Sequence, residues 1–149
     1  RVIDVAKRVA EANPYEVAFA DTIGVGVPSQ VTEILTRARE ALPGVRLRAH
    51  FHNTRNTGLA NAYAAVAAGV SALDSSAGGI GGCPFAPAAT GNIPTEDLVY
   101  MLERMGVSTG IDLDKLLATG EWLQQTLGRN VPGMLLKAGG FPKPSAQAA

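Results

Sequence analysis

The chain has 149 residues, 46% of them hydrophobic, which suits one ordinary domain with a buried core and is too apolar for a disordered chain. Thirteen basic and thirteen acidic side chains leave a formal net charge of zero, which argues against nucleic acid or an anionic membrane surface as a partner. The single cysteine, Cys83, excludes an internal disulfide framework and suits a reducing compartment, and no apolar run approaches the ~18 residues of a membrane span.

No signal or transit peptide is visible, and Arg1 opens into a helical pattern with no start signal, so the natural N-terminus is expected upstream. In that opening pattern Val2, Val5, Ala6 and Val9 recur at helical spacing. EVAFAD (16–21) is a short apolar run that reads as a buried strand. PSQVTEILTRAREAL (28–42) puts Val31, Ile34, Leu35, Ala38 and Leu42 on one helical face, with Pro28 in the first turn and Pro43-Gly44 at the end. VRLRAHFH (45–52) alternates with period two: Val45, Leu47, Ala49 and Phe51 point one way, and Arg46, Arg48, His50 and His52 the other. TGLANAYAAVAAG (57–69) predicts a helix with Leu59, Tyr63, Val66 and Ala67 inward, stopped by Gly69. VSALDSS (70–76) is a third strand, followed by an unusually long Gly- and Pro-rich loop over 77–92. PTEDLVYMLERM (94–105) predicts a helix with Leu98, Met101, Leu102 and Met105 inward and Gly106 after it. Residues 112–127 predict another, capped by Asp112, with Leu113, Leu116, Leu117, Leu123 and Leu127 apolar. The tail from Gly139 reads as disordered, which leaves 1–138 as the folded portion and 139–149 as an appendage.

Alternating strands and helices imply an α/β fold with a parallel sheet. The spacing from Asp21 to His50 and from His50 to Asp74 is near the ~31 residues per unit of a (β/α)8 barrel, and a doubly wound open sheet repeats at a similar interval. Asp21, His52 and Asp74 fall at the C-terminal ends of strands, where both architectures build their sites. No G-x-G-x-x-G follows the first strand, which weakens a dinucleotide reading.

Three constellations could carry chemistry. His50 and His52, the chain's only histidines, stand at i and i+2 on a strand and share a face. They are either two ligands of a divalent cation or two hydrogen-bonded imidazoles without one. Gly78, Gly79, Gly81 and Gly82 run into Cys83-Pro84, which is either a loop that closes over a ligand or a plain surface loop with an incidental thiol. Asn92 precedes a helix whose first turn holds Glu96 and Asp97, and both the cap reading and a functional one stand. Asp21 is likewise a turn residue or an inward carboxylate at a strand end.

DTIGVGVP (21–28), HFHNTRNTGLAN (50–61), DSSAGGIGGCPFAPAATGN (74–92) and TEDLVYML (95–102) together resemble the 3-hydroxy-3-methylglutaryl-CoA lyase family, within the wider group of metal-dependent barrel lyases and Claisen-type synthases. The likeness runs from about residue 16 to about residue 127, and GGCPFAPAATGN is its most specific part. It implies a partial (β/α)8 TIM barrel, the last three βα units plus C-terminal helices. It implies that His50, His52 and Asn92 bind a divalent metal, Mg²⁺ or Mn²⁺, and that Cys83 is catalytic. Asp21 then lies in the active site, His50 is a candidate base, and Glu96 is a supporting carboxylate. The related isopropylmalate and homocitrate synthases share the H-x-H strand but carry a different loop where this chain has Gly82-Cys83-Pro84, which favours the lyase.

The implied reaction is a retro-Claisen cleavage of 3-hydroxy-3-methylglutaryl-CoA to acetyl-CoA and acetoacetate, in a homo-oligomeric enzyme of the bacterial cytoplasm rather than the mitochondrial matrix. The family's Arg-Asp pair on the first barrel strand is not in this chain, which therefore looks like the C-terminal part of such an enzyme. Its partners would be an acyl-CoA substrate and the N-terminal part of the barrel, with no nucleic acid and no membrane. Alone it is expected to be inactive, with Arg46 and Arg48 facing the barrel side and lacking any carboxylate from the missing strands. A condensing synthase and a non-catalytic partial barrel are the alternatives.

Overall fold

The computed structural model describes residues 1–82 and 91–141; Cys83 and residues 142–149 lie outside them. In chain order the elements are α1 (Val2–Ala10), β1 (Glu16–Asp21), α2 (Pro28–Ala41), β2 (Arg46–Phe51), α3 (Gly58–Ala67), β3 (Ala72–Asp74), a 3₁₀ turn (Ala77–Gly79), α4 (Thr95–Arg104), α5 (Leu113–Leu127) and α6 (Leu135–Ala138). The local signals explain most boundaries. Pro28 occupies the first turn of α2, where its missing N–H has no partner to lose. The Asp112 carboxylate caps α5 by accepting from the Lys115 N–H at 3.1 Å. No helix among the described residues is long and apolar enough to cross a membrane.

The three strands are parallel in the order β1-β2-β3, with Val17 opposite Leu47, Ala20 opposite His50, and His50 opposite Asp74. Consecutive helices are also neighbours: α1 packs on α2, α2 on α3, and α3 on α4. One layer of helices follows one layer of strands around, the winding of three consecutive βα units of a (β/α)8 barrel; over three strands, half of a doubly wound sheet winds the same way.

One face of the sheet meets the helices. Leu47, Ala49 and Phe51 of β2, Leu35 and Ala38 of α2, Ala62 and Ala65 of α3, and Ile93 form one buried cluster. The opposite face carries Glu16, Arg48, His50 and Asp74, with Ala18 and Ala20 exposed among them. In a closed barrel that face is the interior.

Several expectations are corrected. In α3 Leu59 and Val66 pack against the core as expected, but Tyr63 and Ala67 are exposed, and the buried positions are Asn61, Ala62, Ala64 and Ala65 with Gly58. Small side chains face in because the helix lies close over β2 and α2, where a Tyr ring has no room. Met105 and Leu127 are likewise exposed, since each falls at the last turn of its helix or beyond it. The third strand is shorter than its apolar run: Ser75 and Ser76 turn out of the ladder to meet the chain returning to α4. At the C-terminus, of the tail expected to begin at Gly139, Phe141 is among the described residues, with the Arg104 guanidinium 4.4 Å from its ring centroid.

That return is the feature that builds the site. Residues 91–95 thread between the ends of β2 and β3. The Gly91 carbonyl accepts from Asn53 N–H at 3.1 Å, the Ile93 carbonyl from Ser76 N–H at 3.1 Å, and Thr95 N–H donates to the Ser76 carbonyl at 2.9 Å. Ile93 is fully buried beneath this stem. Ile93→Val is therefore expected to lower stability by ~1 kcal/mol and Ile93→Ala by ~2–5 kcal/mol. Urea unfolding of the variants in the complete protein measures both; losses near zero would contradict the stem's role as part of the core.

Candidate active site

The alternation of β2 dictates where its histidines go. His50 and His52 leave the strand on the same side, and their rings lie edge to face with centroids 5.1 Å apart. His52 is only 4% exposed, and its Nδ1 has no hydrogen-bond partner among the described residues. Burial first, and then the neighbouring His50, hold the His52 imidazole below the ordinary histidine range, with Asp21 pulling it weakly upward. His52 thus presents a buried ring nitrogen that no described residue satisfies, in surroundings that disfavour its charged form.

Asn92 stands opposite His52 in an antiparallel bridge, an arrangement that puts both side chains on one side. Its Nδ2 donates to the Ile80 carbonyl at 3.0 Å, which fixes the amide with Oδ1 engaged by no described residue. Asn92 is not a helix cap, because the cap position of α4 is Pro94. The two imidazoles and this amide oxygen are neutral donors of the kinds that divalent cations take, and the unpartnered His52 nitrogen fits that use. Among the described residues no group of three or more His, Cys, Asp or Glu side chains is placed to hold a metal.

Asp21 has both a structural and an electrostatic part. Its two carboxylate oxygens accept from Val25 N–H at 3.0 Å and Gly26 N–H at 2.9 Å, which fastens the loop after β1. By register it shares the helix side with Phe51, yet its charge still reaches His52. A pin that no local pattern announces joins this loop to the one after β2: Arg55 Nη1 donates to the Ile23 and Gly24 carbonyls at 3.0 and 3.1 Å.

Glu96 is the residue whose position departs most from a bland reading of an acidic first turn. It is fully buried, and its Oε2 accepts from the Gly78 N–H at 2.9 Å. The Gly78 carbonyl in turn accepts from Gly133 N–H at 3.1 Å. Gly78 has φ +70°, and a side chain there would collide with Val131, so only glycine serves. Gly133 lies so close to Glu96 Oε1 that a Cβ could not fit between them. Asp97 completes the clasp by accepting from the Met134 and Leu135 N–H groups at 3.0 and 2.8 Å. The base of the glycine loop is therefore held between the start of α4 and the C-terminal segment. Cys83, further along that loop, is outside the described residues.

Arg48, on the same barrel-side face, finds its partners within this chain. Its guanidinium meets Glu16 and Asp74, each at 2.5 Å at the nearest approach. The carboxylates come from the adjacent strands of this same chain, because parallel register brings β1 and β3 alongside β2. Arg46 instead lies 5.1 Å from the Tyr15 ring centroid in a cation–π contact.

Comparisons with known proteins agree on the lineage. The sequence model of the HMGL-like family matches residues 1–123. The (R)-citramalyl-CoA lyase of Chloroflexus aurantiacus is 48% identical over 93% of this chain and 44% of that protein. The mitochondrial hydroxymethylglutaryl-CoA lyase of Mus musculus is 43% identical over 93% of this chain and 42% of that protein. The solved structure of an HMG-CoA lyase from Acinetobacter baumannii, in complex with coenzyme A and 3-methylmalate, superposes with a TM-score of 0.88 at 41% identity, covering 96% of this chain and 48% of that one. The chain thus spans less than half the length of the curated relatives it matches.

The burial of Glu96 has a pH signature. Desolvation raises its pKa above the ordinary glutamate range, against the opposing pull of the backbone N–H groups. The folded state keeps this proton to higher pH than the unfolded chain does. The stabilisation is whole below the ordinary range and is lost as pH rises through the raised value. Glu96→Gln, which carries no such titration, is expected to gain on the wild type as pH rises, by up to about 1.4 kcal/mol per pH unit within that window. Urea midpoints of both proteins across the acid-to-neutral range provide the check, and a gap that widens toward acid would contradict the assignment.

Proposed function

Because the chain belongs to the HMGL-like family, we propose that it is the histidine-bearing part of a carbon–carbon lyase that cleaves a 3-hydroxyacyl-CoA by a retro-Claisen reaction. The observation that supports this most is the paired His50 and His52 on the barrel-side face with Asn92 bridged to His52. A divalent cation, Mg²⁺ or Mn²⁺, held by His50, His52 and Asn92 supplies Lewis-acid polarisation of the substrate's oxygen atoms.

The chain's own residues take the other parts. His50 is the more exposed imidazole and has Asp74 beside it at 3.5 Å; with the nitrogen it offers the cation set free, it would be the better placed of the two to accept the C3 hydroxyl proton there. As that proton leaves, the C3–O electrons form a carbonyl, the C2–C3 bond breaks, and the electron pair stays on C2 as the enolate of the thioester. Cys83 delivers a proton to C2, which completes the acyl-CoA product; an ordinary thiol is mostly protonated at neutral pH and suits an acid. Asp21 holds the loop after β1, and Glu96 holds the base of the loop that carries Cys83.

The substrate we favour is 3-hydroxy-3-methylglutaryl-CoA, which would give acetyl-CoA and acetoacetate. The 48% identical relative named for (R)-citramalyl-CoA supports a second reading, in which the products are acetyl-CoA and pyruvate. The two substrates share the tertiary alcohol and the thioester and differ by one methylene before the distal carboxylate. One methylene discriminates by ~10–200-fold in a fitted pocket, so one substrate should lead the other in kcat/KM by that order. The test is acetyl-CoA release by the complete enzyme from each compound, with Mg²⁺ or Mn²⁺. Cys83→Ser is expected to lower turnover by ~100-fold or more with an unchanged thermal midpoint. Release from neither compound, or near-wild-type turnover by Cys83→Ser, would overturn the reading.

A further inference from the structure

We propose that Asp74 and Arg48 are positioning residues for His50: Asp74 sets the tautomer and angle of the imidazole through Nδ1, and Arg48 holds Asp74 in place. The inference rests on the reading that His50 serves a metal-dependent lyase centre, and it adds residues that the lyase reading leaves without a role.

The geometry is a line across the three strands. Register places Asp74 directly opposite His50, on the same face. Asp74 Oδ2 lies 3.5 Å from His50 Nδ1, while its other oxygen, Oδ1, is engaged by Arg48 Nη1 at 2.5 Å. Arg48 Nε and Nη2 both approach Glu16 Oε1, at 2.6 and 2.5 Å. A guanidinium tied at both ends to neighbouring strands cannot swing, so Asp74 is held at one oxygen and can offer only the other to His50. The approach of 3.5 Å is a contact rather than a formed hydrogen bond, and the soft terminal torsion of histidine lets the ring close it. An acceptor at Nδ1 places the proton there and leaves the Nε2 lone pair directed away from Asp74. Carboxylates that contact a ligating imidazole act in this way, and losing one weakens metal affinity by ~10–100-fold. Arg48 also matters to charge. With two carboxylates and one guanidinium, this row carries one net negative charge beside His50, close to a centre whose three donors are neutral.

The experiment compares the complete enzyme with Asp74→Ala, Asp74→Asn, Arg48→Met and Arg48→Lys, using Mn²⁺ as the probe. Long-range ¹⁵N–¹H spectra of the metal-free proteins, assigned with a His50→Gln control, report which ring nitrogen of His50 carries the proton. The wild type should show Nδ1–H, and Asp74→Ala should move toward the Nε2–H form. Mn²⁺ affinity, read from the electron paramagnetic resonance of the free ion, should weaken ~10–100-fold in Asp74→Ala and less in Asp74→Asn, which keeps an acceptor oxygen. Arg48→Met should follow in the same direction and Arg48→Lys should recover part of the loss. Asp74→Asn is the variant expected to keep the wild-type thermal midpoint, so misfolding cannot mimic the result. An unchanged His50 tautomer in both Asp74 variants would overturn the proposal. Wild-type Mn²⁺ affinity in His50→Gln would instead overturn the metal reading, and the tautomer spectra would still decide the role of Asp74.

Discussion

Everything in this site depends on the register of β2 between its two neighbours. Side chains alternate along a strand, so a slip of one residue would turn Arg48, His50 and His52 into the helix layer and Leu47, Ala49 and Phe51 out of it. Register is held from both faces. On one, the apolar set fits against α2 and α3. On the other, Arg48 reaches a carboxylate on each side, and only one alignment of three strands offers both. The polar contacts that orient the chemistry are thus also contacts that specify the alignment.

The second constraint is the fate of the chain after β3. A long glycine-rich excursion must return to α4 without leaving buried backbone groups unpaired. It does so by pairing its stem with the ends of β2 and β3, and Ile93 seals that stem from below. Asn92 is carried to His52 as a by-product of the pairing. A side chain supplied by such a stem is placed by backbone geometry, which is stiffer than a side chain reaching from afar.

Local patterns carried much of this architecture. The shared face of His50 and His52 followed from period-two alternation, and the helix ends followed from Pro28, Gly69 and Asp112. What local pattern could not supply was anything set by distant strands. The pairing of Arg48 with Glu16 and Asp74 is of this kind, because the two carboxylates are far away along the chain; the shared parity of the three residues signals it only once the strands are known to be parallel and adjacent. Tyr63 was placed inward on hydrophobicity, whereas the tight helix–sheet spacing selects for size, and alanines won. Glu96 followed the rule for acidic first turns and gave no hint of burial, because its surroundings come from Gly78 and Gly133, on either side of it in the chain. Asn92 reads from its position as a helix cap, a place that the structure gives to Pro94.

The clasp on Gly78 also imposes an order in time. Its N–H and carbonyl are satisfied by Glu96 and by Gly133, both of which are synthesised after it. The sheet and its helix layer rest on contacts close in sequence and can form early, while the base of the glycine loop waits for a distant strap. A nascent chain would therefore assemble its paired histidines well before it had a finished loop. Truncation or fraying near α6 would then leave a folded barrel segment with a loosened loop base, a defect visible in chemistry before it is visible in secondary structure.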